Sequence, residues 1–148
     1  MGTHYQGTAK EVLALNAYIK LMRAVDSVKK RIDERDTVGK LRGSPFGTLE
    51  MLFHVGPLQQ KEIGEKLLIS KSNVVAIIDR LEKRGLVRRE RSVEDRRCIF
   101  VHLTEKGQTL VEQILPGHVA AITEAMSYLT VTEQQEFSVL CRKLGLGE

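Results

Sequence analysis

The stretch from Ser70 to Leu103, SKSNVVAIIDRLEKRGLVRRERSVEDRRCIFVHL, restricts the chain to few folds. Ser70 is a good helix N-cap, because its hydroxyl accepts a backbone N–H that the first turn leaves unpaired. Val74, Ile77, Ile78 and Leu81 then recur at helical spacing and form one apolar face. The opposite face carries Ser72, Ala76, Asp79 and Lys83, flanked by Asn73, Val75 and Arg80. It is small and polar at its N-terminal end, so nothing bulky obstructs its entry into a groove. Gly85 supplies the left-handed residue that stops such a helix. Leu86 to Arg91 and Cys98 to Leu103 read as two strands joined by a charged tip, Ser92 to Arg97.

Helix, strand, charged turn, strand is the outline of a winged helix-turn-helix. Nine bases lie in this stretch: Lys71, Arg80, Lys83, Arg84, Arg88, Arg89, Arg91, Arg96 and Arg97. Five acids oppose them, so the stretch carries the same excess of four as the whole chain, whose formal net charge is +4. The remainder is balanced. Clustered positive charge beside a groove-sized helix is an electrostatic footprint for nucleic acid. The alternative is an ordinary solvated hairpin on a winged-helix protein–protein adaptor that binds no DNA.

At these residues a resemblance becomes specific. DRLEKRGLVRRERSVEDRRCIFVHLTEKG is similar to the core signature of the MarR family of bacterial winged-helix transcriptional regulators. The matching positions are Asp79, Leu81, Gly85, Leu86, Val87, Arg89, Asp95, Arg97, Leu103, Thr104 and Gly107. Single pieces are weak signals, whereas the ordered set is strong. The resemblance implies a homodimeric regulator, most simply a repressor, on a pseudo-palindromic stretch of double-stranded DNA. It implies release when a small aromatic, phenolic or reactive effector binds. Ser70 to Arg84 would enter the major groove, with Ser72, Asn73, Ala76 and Arg80 nearest the bases and Lys71 and Lys83 nearest phosphate. Arg97 would reach from the wing towards the minor groove, oriented by Asp95, with Arg96 the other candidate. Ser70 and Arg89 complete the expected DNA-binding set.

The 148 residues suffice for one domain with a real core. No apolar run approaches the ~20 residues needed to span a bilayer, and the first ten residues lack the pattern of a secretory signal. Cys98 and Cys141 make no disulfide framework, so a reducing cytoplasm is the expected compartment. The expected fold class is mainly α with a small antiparallel β-hairpin. Within the single chain 1–148, residues 44–103 form the expected DNA-binding region, and 8–35 with 104–148 the expected helical dimerisation region.

Taken in order, Thr8 to about Arg35 reads as a long first helix with a stripe from Val12 through Leu15, Ile19, Met22, Val25 and Val28 to Ile32. Asp36 to Gly43 reads as a loop in which Val38 and Leu41 mark a short extra turn. Ser44-Pro45 opens the next helix, with Ser at the N-cap and Pro at the first helical position. Its buried face is Phe46, Leu49, Leu52 and Phe53, and Gly56-Pro57 ends it. Ile63, Leu67 and Leu68 are the apolar positions of the bracing segment that follows, and Leu68-Ile69-Ser70 would be its turn. The family resemblance adds a very short strand near Leu58. Thr104 caps a long helix in which Pro116-Gly117 predicts a bend or break. Thr132-x-x-Gln135 reads as a capping box for a last helix ending at Leu144. Leu15, Ile19, Met22, Leu129, Phe137, Leu140 and Leu144 exceed what one winged-helix head can bury, which predicts pairing of the terminal helices across a dimer.

Nothing in the sequence supports catalysis. His4, His54, His102 and His118 are scattered without metal-ligand spacing, and there is no phosphate-cradling glycine loop or nucleophile motif. No cofactor and no metal are expected. Cys98 follows two arginines, and nearby cations favour thiolate, which makes it a candidate redox residue. Cys141 lies on an apolar helix face and reads as a small buried hydrophobe. The structural reading is preferred for both.

Overall fold

The computed structural model describes residues 2–148. Helix α1 (Ala9–Asp33) begins with a capping box, in which Thr8 accepts from the Glu11 amide and Glu11 accepts from the Thr8 amide. The loop after it contains a 3-10 turn, Gly39–Leu41, and buries Leu41. Helices α2 (Ser44–Val55), α3 (Gln60–Leu67) and α4 (Lys71–Lys83) follow, with strand β1 (Leu58–Gln59) between the first two. Strands β2 (Val87–Arg91) and β3 (Ile99–Leu103) lead into α5 (Glu105–Met126) and α6 (Val131–Leu146). The sheet is antiparallel in the order β1-β3-β2, so the brief strand at Leu58 is present and pairs with Val101.

The chain divides into two compact units. One is Thr37–His118; the other joins the residues up to Asp36 to Val119–Glu148. Within the first, Phe46, Leu49, Leu52, Leu58, Ile63, Val74, Ile77, Ile78, Leu81, Leu86, Val87, Val101 and Val111 form one core. In the second, α1 and α6 bury no residue, and Arg31 of α1 donates to the Ala125 carbonyl and stacks over the Tyr128 ring. Arg35 pairs with Glu124.

Four local expectations change. Gly43, not Ser44, is the N-cap of α2, and its φ of 84° with ψ of −138° is backbone that only glycine enters readily. Ser44 is thereby the first helical residue, and its carbonyl accepts from the Thr48 hydroxyl at 2.8 Å. Helix α5 runs through Pro116 without a break. Proline removes one hydrogen bond, the one to the Glu112 carbonyl, and both residues are exposed, so water can satisfy that carbonyl. The last capping box is Thr130 with Glu133, two residues earlier than expected. A carboxylate at the third helical position is a stronger acceptor than the Gln135 amide and suits the positive helix end. Leu68 lies in the turn as expected, where it ends α3 in the left-handed conformation and is 91% exposed. Cys141 is exposed, because among the described residues none covers that face of α6.

Candidate nucleic-acid interface

Helix α4 is held from behind. Val74, Ile77, Ile78 and Leu81 are buried, and each such aliphatic side chain contributes about 1.5–3 kcal/mol. Gly64 lets α3 approach closely, since a Cβ there would come within 2.8 Å of Val74 Cγ2. The opposite face is consequently free: Lys71, Ser72, Asn73, Ala76, Arg80 and Lys83 are all exposed. Ser70 is engaged as the cap, with its hydroxyl accepting from the Asn73 amide at 3.3 Å and 3.3 Å from the Ser72 hydroxyl. Among the described residues Lys71, Arg80, Lys83 and Arg96 make no ion pair, which leaves four cations for an external anion.

The exit from α4 is built by residues that carry the sequence signature. Gly85, with φ of 73°, turns the chain, and its carbonyl accepts from the Thr104 hydroxyl at 2.6 Å. That hydroxyl also accepts from the Gly107 amide and so caps α5. A Cβ on Gly107 would lie 2.1 Å from the Leu86 carbonyl oxygen, so only glycine fits where α5 crosses the start of β2. Lys106 adds a bond to the Arg84 carbonyl at 2.9 Å.

The hairpin registers Arg89 opposite Val101 and Arg91 opposite Ile99. Its tip is closed by Ser92 N–H to the Cys98 carbonyl at 2.9 Å and Cys98 N–H to the Asp95 carbonyl at 3.0 Å. Asp95 accepts from the Arg97 amide at 3.0 Å and from its guanidinium at 3.2 and 3.4 Å. The Arg97 side chain is nonetheless 91% exposed. Arg97 holds the Asp95 carboxyl below the usual carboxylate range, first through its side chain and then through its amide. Cys98 is half-buried and its thiol donates to Asp95 at 3.7 Å. Arg91 donates to the Arg96 carbonyl at 2.5 Å, which braces the tip.

Arg89 has a different setting from the other ten expected DNA-binding residues. Its guanidinium reaches Asp79 at 2.6 Å, Glu82 at 3.0 Å and Gln60 at 2.6 Å, and its side chain is only 21% exposed. Gln60 and Glu82 carry no sequence signal for this contact, since they lie 29 and 7 residues from Arg89 on other elements. A second cluster on the hairpin also escaped the sequence pattern. Glu90 pairs with Arg88 at 2.7 Å and with His102 at 3.3 Å, and Arg88 chiefly holds its carboxyl below the usual range. Only strand register reveals it, because Arg88 lies opposite His102.

The MarR family pattern matches residues 44–99. The HTH-type transcriptional regulator YkoM of Bacillus subtilis is 35% identical, over 90% of this chain and 86% of its own length. The HTH-type transcriptional regulator MhqR of the same organism is 32% identical, over 90% and 92%. Among solved structures, the MarR family regulator Sco3205 of Streptomyces coelicolor, in complex with DNA, superposes with a TM-score of 0.79 at 28% identity, covering 98% of this chain and 91% of that one.

Proposed function

The chain belongs to the MarR family, and from that premise we propose that it is a DNA-binding transcriptional regulator acting as a repressor. The observation that carries the reading is one lobe with two exposed basic features: the face of α4, where Lys71, Arg80 and Lys83 make no ion pair among the described residues, and an arginine presented at the wing tip by Asp95. Ser72, Asn73, Ala76 and Arg80 read base edges in the major groove, and Lys71 and Lys83 meet phosphate. Arg97 reaches the minor groove, with Asp95 as its orienting partner and Arg96 beside it. The similarity to a regulator bound to DNA supports the same direction of approach.

The protein acts as a homodimer on a pseudo-palindromic site. Support comes from α1 and α6, which bury nothing in the single chain while Met22, Phe137, Leu140 and Leu144 lie exposed. Residues 8–35 and 104–148 supply the dimerisation region and 44–103 the DNA-binding region. A small aromatic, phenolic or reactive effector releases the operator. The protein works in the cytoplasm and regulates rather than catalyses; among the described residues no helix is long and apolar enough to cross a membrane. Cys98 is structural in this reading, its thiol being a donor to Asp95.

The test is to sequence genomic fragments retained by the protein and to measure their affinity against random duplexes. Enrichment of a two-fold site with strongly salt-dependent binding is expected. Salt-independent or absent binding would return the protein to the class of winged-helix adaptors.

A further inference from the structure

Helix α4 presents a contradiction if it meets DNA. It carries Asp79 and Glu82 as well as Lys71, Arg80 and Lys83, and the Asp79 side chain is 60% exposed. Bare carboxylates on a helix that approaches phosphate are repelled. The repulsion is screened only beyond ~8–10 Å at physiological salt.

We propose that Arg89 is the resident counterion of the DNA-reading helix: a positioning residue that neutralises Asp79 and Glu82, fixes α4 to the wing and does not itself touch DNA. The inference rests on the DNA-binding reading above. All three guanidinium nitrogens are in use: Nε donates to Gln60 at the start of α3, one terminal nitrogen to Glu82 and the other to Asp79. The Arg89 backbone amide donates to the second Glu82 oxygen at 3.0 Å, so that carboxylate grips strand and side chain together. A planar fork with donors in fixed directions can serve three elements at once, which a lysine cannot. With three of its five N–H donors committed and its side chain only 21% exposed, Arg89 could present its full fork to phosphate only by leaving two carboxylates bare beside the same DNA.

The position of Arg89 on β2 follows from register. It pairs with Val101, which is fully buried, so its stem lies on the core side of the sheet and its head emerges towards α4. Two residues on, Arg91 braces the wing tip through the Arg96 carbonyl. The recognition helix and the wing therefore share one strand as their common support. Arg89 is the group that fixes the helix to it.

The experiment uses the full chain, the genomic fragment it retains best, and a random duplex of the same length, titrated at several salt concentrations. Arg89→Ala is expected to weaken both duplexes tenfold or more. Adding Asp79→Asn and Glu82→Gln to it is expected to restore binding to within about threefold of wild type, with the wild-type salt slope. A triple variant that stays tenfold weak, or that loses one phosphate's worth of slope, would overturn the inference and make Arg89 a direct contact. Wild-type affinity for Arg89→Ala would overturn it too. Should Arg89→Ala alone fail to fold, the neutral triple variant against wild type remains decisive. A wild-type chain that binds neither duplex would instead bring down the DNA-binding reading itself.

Discussion

Asp95 holds Arg97 by three hydrogen bonds, one from its amide and two from its guanidinium, while leaving the arginine side chain exposed at the wing tip. The carboxylate restricts the direction of the arginine without covering it. Arg97→Ala is therefore expected to reduce operator affinity by at least tenfold, about 1.4 kcal/mol, and Asp95→Ala by less. Titration calorimetry with unchanged melting curves checks this, and wild-type affinity in Arg97→Ala would shift the contact to Arg96.

The same pair fixes a pH dependence. The Asp95 carboxyl titrates below its unfolded value in the folded protein, so the pair's contribution is complete above the ordinary carboxylate range. It is lost as pH falls through the lowered folded value. Operator affinity should not change between pH 6 and 8 on account of this pair. An Asp95-dependent loss in that window, absent from Asp95→Asn, would contradict the assignment.

Lys83 is exposed at the end of α4 and makes no ion pair among the described residues. Log affinity should fall linearly with log salt at ~0.9 per phosphate neutralised. Lys83→Ala should weaken random and specific duplexes alike and reduce the slope by about one.

Gly107 and Gly117 lie on the same helix and should respond in opposite ways. A Cβ on Gly107 meets the Leu86 backbone, which cannot rotate away, so Gly107→Ala should destabilise the fold by about 3 kcal/mol or more. Nothing lies within 4 Å of a Cβ on Gly117, so Gly117→Ala should stabilise it by roughly 0.5–1 kcal/mol. Leu68, held at φ 55° and exposed, should likewise gain on replacement by glycine, by up to about 1 kcal/mol. Thermal unfolding of the three variants orders them; a Gly107→Ala protein as stable as wild type would refute the close approach.

Removal of α6 tests the dimer. With Phe137, Leu140 and Leu144 exposed in one chain, the full protein should scatter light as a dimer at micromolar concentration. The truncated chain should aggregate or dissociate and lose the full palindrome. Obligate interfaces of this kind bury ~2,000 Å² or more, so a soluble full-length monomer would contradict the arrangement.

Helix periods, the Ser70 cap and the Gly85 stop were legible in the sequence, and the family resemblance implied the pairing of Asp95 with Arg97. Each depends on residues within a few positions of one another, and backbone and hydrogen-bonding preferences at that range are properties of the local chain. The choice between Thr130 and Thr132 as a cap was also local, and the carboxylate decided it. The setting of Arg89 was not legible, because the same arginine serves phosphate or a carboxylate depending on what lies within reach of its fork. Asp79, Glu82 and Gln60 come within reach only when α3, α4 and β2 pack over a shared core. The need for glycine at Gly107 came from the crossing of α5 over Leu86, and the continuity at Pro116 from that position's exposure to water. Local chemistry specified the elements; their packing determined which charges were neutralised inside the lobe and which remained available to DNA.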